Sequence, residues 1–347
     1  MDLALYDPEY GYYARAAQRS GRAGDFFTSV DVGPIFGELL EVQIADLADL
    51  LGPPRHHFDL VEAGAGNGRL AADILEAMRR RDPALFDSVD VHLVETSAAA
   101  RAQHRAILGD AATRLAASSA TLPEVFEGVL VANELLDAMP VHQVIQCEDG
   151  LREIYVDSDD GRLRLAEGPV SSPGISEHLS RLGVTLEPGW RAEINLAAVD
   201  WVRDAARRLR RGFMILIDYG HEARELYSVT HSSGTLTTFS GHRAAGPEAG
   251  APAWLANPGE RDITAHVDFT SLRAAAEAEG MQTIAFLDQT YFLLGLLPSI
   301  RNPQSEVRNL QTLLMPGGLG STMKVLILGK GVGAPRLRGC SFSVRVT

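Results

Sequence analysis

Short apolar runs that end at a glycine or an acidic residue recur along the chain, and stretches with apolar positions at helical spacing follow them. The first run is Asp59-Leu60-Val61-Glu62-Ala63-Gly64; behind it Leu70, Ile74, Leu75 and Met78 fall on one helical face, so the pattern predicts strand, tight turn, helix. Val89-Asp90-Val91-His92-Leu93-Val94-Glu95 repeats the strand, and the alanine-rich stretch 98–108 repeats the helix, with Ser97 as its N-cap. Further strands are expected over 128–134 and 213–220, the second preceded by a helix through Trp201 and Leu209. Near-continuous apolar runs of this kind belong to parallel strands covered on both faces. The final third predicts a helix over 269–279, a strand over 281–287, a helix over 307–314 and a closing strand over 324–328. The alternation implies an α/β fold with a doubly wound sheet.

Two regions break the alternation. Residues 141–170 change to short strands with turns at Glu148-Asp149-Gly150 and Asp159-Asp160-Gly161, which predicts inserted antiparallel hairpins. Residues 221–262 are rich in Gly, Ser, Pro and Ala, and a long irregular connection beside the carboxyl ends of a parallel sheet reads as a lid or substrate loop. The expected organisation is an N-terminal segment over 1–55 with a helix over 32–50, one main domain over 56–330, and a tail over 331–347.

With 347 residues, 46% of them hydrophobic, the chain can bury a large core, and one enlarged domain is the simplest reading. A formal charge of -13 argues against a nucleic-acid partner, which would require a clustered positive surface. Arg79-Arg80-Arg81 and Arg207-Arg208-Leu209-Arg210-Arg211 read as cations at helix C-termini, where they oppose the dipole. Cys147 and Cys340 have neither disulfide nor metal spacing, the ten histidines show no metal pattern, and no metal is expected. No apolar run approaches a membrane span and the first residues lack signal-peptide character, so no membrane partner and a cytoplasmic location are expected.

The candidate chemistry begins at Glu62-Ala63-Gly64-Ala65-Gly66-Asn67-Gly68. Three glycines after the first strand let a ligand approach the backbone and permit dihedrals closed to other residues. A dinucleotide fingerprint would place its third glycine at position 69, where this chain has Arg69. The spacing E-x-G-x-G-x-G suits S-adenosyl-L-methionine (SAM), which has no pyrophosphate to cradle. Glu95, with Thr96 beside it, ends the second strand and is expected to accept hydrogen bonds from ribose hydroxyls. Glu62 either orients the turn amides and faces the cationic methionine end or caps the following helix. The candidate cofactor residues are thus Glu62, Gly64, Ala65, Gly66, Gly68, Glu95 and Thr96.

Open α/β sheets bind ligands beyond the carboxyl ends of their strands, which singles out Asn133-Glu134-Leu135-Leu136-Asp137-Ala138-Met139-Pro140. Methyl transfer is an in-line displacement, so the protein must align the acceptor, exclude water and manage charge. Asn133 is a candidate for holding the acceptor or the cofactor, and Glu134 and Asp137 for receiving donors from an amine or a guanidinium. Asp137 reads equally as a helix N-cap.

Six blocks in order resemble the MidA-like methyltransferases, the family that includes the mitochondrial arginine methyltransferase of respiratory complex I assembly. Beyond the glycine turn and the Asn133 block they are Gly24-Asp25-Phe26-Phe27-Thr28-Ser29, Phe36-Gly37-Glu38, Ile217-Asp218-Tyr219-Gly220 and the run from Pro258 to Phe269 containing Thr264-Ala265-His266-Val267-Asp268. The resemblance covers nearly the whole chain, from Leu5-Tyr6-Asp7-Pro8 onward. It implies a Rossmann-like class I SAM-methyltransferase sheet with an antiparallel terminal strand, and a protein substrate methylated on an arginine nitrogen, with symmetric dimethylation associated with the mitochondrial members. It also implies that the N-terminal segment covers the cofactor through Gly24 and Thr28, and that Asp25, Phe27, Tyr219 and His266 line the substrate side. From the residues alone, Asp268 is a helix cap and His266 a satisfied buried histidine. Where the family usually has proline in the glycine turn, this chain has Ala65, and the resemblance implies a family N-terminus that normally begins with a further helix. A SAM-binding assembly factor with little catalysis and a small-molecule methyltransferase stay open, as does a homodimer through the hairpin insertion.

Overall fold

The computed structural model describes residues 1–15, 28–52, 58–240, 243–245, 252–300, 307–315 and 323–342. Two compact units form from interleaved segments: Met1–Arg15, Leu136–Val202 and Gly220–Ala275 make the first, and Ala16–Leu135, Arg203–Tyr219 and Ala276–Thr347 the second. These units do not follow the expected boundaries. The 1–55 segment is divided between them, and the hairpin region joins the residues that follow 220.

The second unit is built on a large sheet whose strands, numbered in chain order, are β1 Phe58–Ala63, β2 Val89–Val94, β3 Leu115–Ser119, β4 Phe126–Asn133, β5 Leu209–His221, β6 Gln282–Asp288 and β7 Met323–Lys330. Their order is β6-β7-β5-β4-β1-β2-β3. β1 pairs in parallel with β2 and β4, β2 with β3, and β4 with β5. β7 runs antiparallel to both β5 and β6, so the expected antiparallel terminal strand is present. The strand order reverses between β1 and β4, and such a reversal opens a crevice at the carboxyl ends of the strands.

The core explains the apolar runs. Phe213, Met214, Ile215, Leu216 and Ile217 of β5 are buried on both faces, as a covered parallel strand demands. Helix Ile35–Leu51 supplies Phe36, Leu39, Leu40, Ile44 and Leu47 to the same core, and helix Arg69–Arg81 supplies Leu70, Ile74, Leu75 and Met78. The arginines of the last turn of Arg69–Arg81 pair with Glu76, Glu38 and Glu41. Arg207 and Arg208 likewise end helix Leu196–Arg208, whereas Arg210 and Arg211 already belong to β5 and pair with Glu127. The stretch 98–108 is two short helices, Ala98–Arg101 and His104–Leu108, the first capped by Ser97 accepting from the N–H of Ala100. The 331–342 part of the expected tail is packed down: Leu337 is buried, and the N–H of Gly339 donates to Gln43 Oε1 at 3.0 Å.

In the first unit the hairpin expectation holds. Strands His142–Cys147, Gly150–Asp159, Arg162–Gly168 and Arg191–Ile194 form an antiparallel sheet in the order Arg162–Gly168, Gly150–Asp159, His142–Cys147, Arg191–Ile194. Asp160 and Gly161 take φ of 46° and 75°, the two positive values of a type I′ hairpin turn. Helix Pro173–Leu182 covers this sheet with Ile175 and Leu179. The region 221–262 is more regular than its composition suggests. It contains helix Ala223–Leu226, the turn Val229–His231 and a three-stranded sheet of Arg243–Ala245, Thr237–Ser240 and Asp262–Thr264.

Candidate active site

The glycine turn after β1 is held from several sides. Gly64, Gly66 and Gly68 have φ of 73°, 52° and 89°, in the region where a Cβ clashes with the backbone. The N–H groups of Gly64 and Ala65 both donate to the carbonyl of Val94, at 2.9 and 3.1 Å. The N–H of Gly66 donates to Glu95 Oε2 at 2.9 Å, while Glu95 Oε1 accepts from the N–H of Ser97 at 2.7 Å and from Thr96 Oγ1 at 3.4 Å. Glu95 therefore ties the end of β2 to the turn, a role the ribose reading did not include, and its carboxylate retains further acceptor capacity. A Cβ added to Gly66 would meet no atom within 4 Å, so the turn faces open space there.

Below the turn, the Glu62 side chain is buried, and burial pushes its carboxyl up to about 8. The N–H of Ala71 pulls the other way, and the charges of Glu95 and Asp73 push with burial. Glu62 caps the following helix, as one of its two readings expected: it binds an amide of the first turn of Arg69–Arg81, while its Oε2 is buried with no hydrogen-bond partner among the described residues. A buried acceptor without a donor is costly, so Oε2 is suited to a donor or a cation.

At the end of β4 the chain turns at Glu134 with φ of 51°, a left-handed conformation unusual for glutamate and of the kind that clusters at functional sites. Its N–H donates to the carbonyl of Ile217. Glu134 Oε1 accepts from the N–H of Ser29 and from Asn133 Nδ2, both at 3.2 Å. Burial pushes this carboxyl up to about 8 as well; the Ser29 amide and Asn133 oppose the shift, and Asp218 and Asp31 add to it. Asn133 Oδ1 is buried without a partner among the described residues. Ser29 Oγ lies 3.3 Å from Gln289 Oε1, and Gln289 Nε2 is a further buried atom without a partner among them. Asn133, Glu134, Ser29 and Gln289 thus form one hydrogen-bonded row with unsatisfied groups near its two ends.

Thr28 and Asp31 shape the segment that carries Ser29. The N–H and Oγ1 of Thr28 both donate to Asp31 Oδ2, and Asp31 Oδ1 pairs with Arg69 at the start of the helix behind the glycine turn. On the far side His104, fully buried, brings Nε2 to 2.9 Å from the carbonyl of Gly66 and Nδ1 to 2.9 Å from Ser118 Oγ. Asp218 accepts from the N–H groups of Leu135 and Tyr219, steadying the backbone after Glu134.

A family model described as "Putative S-adenosyl-L-methionine-dependent methyltransferase" matches residues 39–287. The chain belongs to this family of SAM-dependent methyltransferases. It is similar to a protein from Burkholderia thailandensis crystallised with S-adenosyl-homocysteine: 31% identity, 98% of this chain and 88% of that one covered, and a TM-score of 0.86. It is also 29% identical to the mitochondrial protein arginine methyltransferase NDUFAF7 homolog of Drosophila melanogaster, over 97% of this chain and 82% of the relative. The mouse protein arginine methyltransferase NDUFAF7 matches at 29% over 95% of this chain and 75% of its own length.

SAM fits the residues present. Its ammonium and sulfonium charges suit a site whose buried Glu62 Oε2 and Asn133 Oδ1 both need donors or cations, and the open side of Gly66 gives room against the backbone. Glu62, Gly64, Ala65, Gly66, Gly68, Glu95 and Asn133 would hold the cofactor. When bound, it supplies an electrophilic methyl group.

Of the remaining sequence candidates, Gly24, Asp25 and Phe27 lie outside the described residues. Thr28 acts through Asp31, and Thr96 is exposed beside Glu95. Tyr219 is partly buried against the core of the second unit. Asp137 and His266 belong to the first unit. Asp137 is buried there, its carbonyl accepts from the N–H of Ala265, and its charge helps raise the Tyr13 phenol, mainly raised by burial. Asp268 is the expected cap, accepting from the N–H groups of Thr270 and Ser271. His266 departs from the satisfied-histidine reading: Nδ1 is buried with no partner among the described residues, and burial together with His221 and His231 pushes the ring down to about 4. Sequence reading missed His104 and Gln289. His104 sits in an alanine-rich stretch with nothing to mark it, and Gln289 opens helix Gln289–Leu296, whose apolar composition hides its polar first residue.

Proposed function

We propose that this methyltransferase acts on an arginine guanidinium of a protein. The observation that carries the reading is Glu134: a carboxyl at the crevice of the sheet, pushed up to about 8, on a strained backbone and oriented through one oxygen by Ser29 and Asn133. The relatives from fly and mouse named as protein arginine methyltransferases support it.

A carboxyl that ionises reluctantly gains most from a cationic partner, and a guanidinium presents paired N–H donors that a carboxylate can accept in a fixed plane. Ser29 and Asn133 hold Oε1 while Oε2 keeps its acceptor capacity, so the carboxylate fixes the acceptor's orientation before transfer. Drawing the positive charge toward Glu134 localises it on the nitrogens facing the carboxylate and leaves lone-pair density on the nitrogen that takes the methyl. The nitrogen that takes the methyl must also lose a proton, and the Glu134 carboxylate would accept it as a general base.

The test is mass spectrometry of proteins from cells lacking this chain, incubated with purified enzyme and SAM carrying an isotopic methyl label. Labelled methylarginine on one or a few proteins, absent with Glu134→Gln, is expected. Label found on small molecules, or in no product while the cofactor binds, would overturn the reading.

A further inference from the structure

The first unit gathers three histidines that no sequence spacing connects. His221 ends β5, His231 ends the turn Val229–His231, and His266 lies between the strands Asp262–Thr264 and Val267–Asp268. Their ring centroids are 4.7 Å apart for His221 and His231, 5.3 Å for His221 and His266, and 5.7 Å for His231 and His266. One ring nitrogen from each lies within 4.8 Å of the other two.

The partners of the rings separate a ligand set from a chance packing of aromatic groups. His231 Nδ1 is 3.1 Å from the backbone carbonyl of Glu225, so that nitrogen carries the proton and Nε2 keeps its lone pair. His221 Nδ1 is 3.2 Å from the carboxylate Oε1 of the same Glu225. The His231 contact is of the kind that fixes metal-binding histidines, one nitrogen on a carbonyl or carboxylate and the other on the ion. His266 Nδ1 is buried and has no hydrogen-bond partner among the described residues, where an ordinary core histidine would have one.

We propose that His221, His231 and His266 bind a divalent transition-metal ion of the Zn2+ class, with the backbone carbonyl of Glu225 orienting the His231 ring. Imidazole nitrogens favour zinc, copper or nickel over magnesium and calcium, which take oxygen ligands. Zinc–nitrogen bonds of about 2.0–2.1 Å in a tetrahedron put ligand nitrogens roughly 3.4 Å apart, so the rings need move inward by no more than about 1.4 Å. His231 stands half-buried on a three-residue turn, a position that can yield by that amount. Three protein ligands leave a fourth position for water or another small donor, as in zinc sites that keep an open coordination position.

The experiment uses the full chain with any polyhistidine tag removed, stripped by a chelator and titrated with ZnCl2 by calorimetry and with Co2+ by visible absorption. The expected result is saturable binding of one ion per chain, cobalt bands of a four- or five-coordinate nitrogen site, and no competition from Mg2+. His231→Ala and His266→Gln should each abolish saturable binding. Circular dichroism reports whether the variants fold, and His231→Ala, on a surface turn, decides the matter if His266→Gln does not. No saturable binding by the parent chain, or zinc binding unchanged in folded His231→Ala, would overturn the site.

Discussion

The ends of β1 and β4 each present a glutamate whose carboxyl is pushed up to about 8, chiefly by burial, yet the two are held in different ways. Glu62 lies beneath a glycine turn, bound to the amide of Ala71 with its Oε2 left without a donor. Glu134 lies on the turn itself, at φ of 51°, and is aimed by Ser29 and Asn133. A strand followed by three glycines exposes backbone at its end; a strand followed by a left-handed glutamate presents a side chain there. Under the proposed function, a perturbed carboxyl would serve cofactor binding at one strand end and acceptor orientation at the other.

The largest expected effect breaks the β4 side. Glu134→Gln keeps an oxygen for Ser29 and Asn133 but removes the charge, and kcat/KM for methyl transfer should fall by about 10²- to 10⁴-fold. An unchanged rate would remove Glu134 from the chemistry. Next, on the β1 side, Gly66→Val places a β-branched residue at φ of 52° and a side chain in the open space of the turn. Cofactor affinity measured by calorimetry should drop on the order of 100-fold, equivalent to about 2.7 kcal/mol. His104→Ala removes the support under the carbonyl of Gly66 and leaves Ser118 without its ring partner, so thermal unfolding should show a loss of about 1–3 kcal/mol.

The smallest effect is the pH dependence. Because both glutamates have folded values above the ordinary carboxylate range, the folded chain holds protons that the unfolded chain has already released between about 4.5 and 8. Their contribution is fully present below that window and is lost as pH rises through about 8. Glu41 and Asp73, raised to about 7 and about 6, act in the same direction. Glu62→Gln should therefore flatten, without abolishing, the decline of ligand-free stability from pH 5 to 8, and an equal slope in the two proteins would count against a buried, proton-holding Glu62.

Much of the second unit's framework was legible because its signals are local. The glycine turn, the Ser97 cap and the strands β1, β2, β4 and β7 follow from apolar runs and special dihedrals within a few residues. The Asp160-Gly161 hairpin turn was legible for the same reason. What depended on distant partners was not. Glu95 meets Gly66 across 29 positions and His104 meets the same residue across 38, and nothing in either local pattern announces the pairing. The three histidines come together over 45 residues from separate turns and strand ends, which motif spacing cannot register.

The division of labour between the two glutamates is tested most directly by titrating S-adenosylhomocysteine into Glu62→Gln and Glu134→Gln by calorimetry. Glu134→Gln should bind within about threefold of the parent chain, while Glu62→Gln should bind at least about tenfold more weakly, a loss of about 1.4 kcal/mol or more. Weak binding by Glu134→Gln together with unchanged binding by Glu62→Gln would contradict the assignment of the two strand ends.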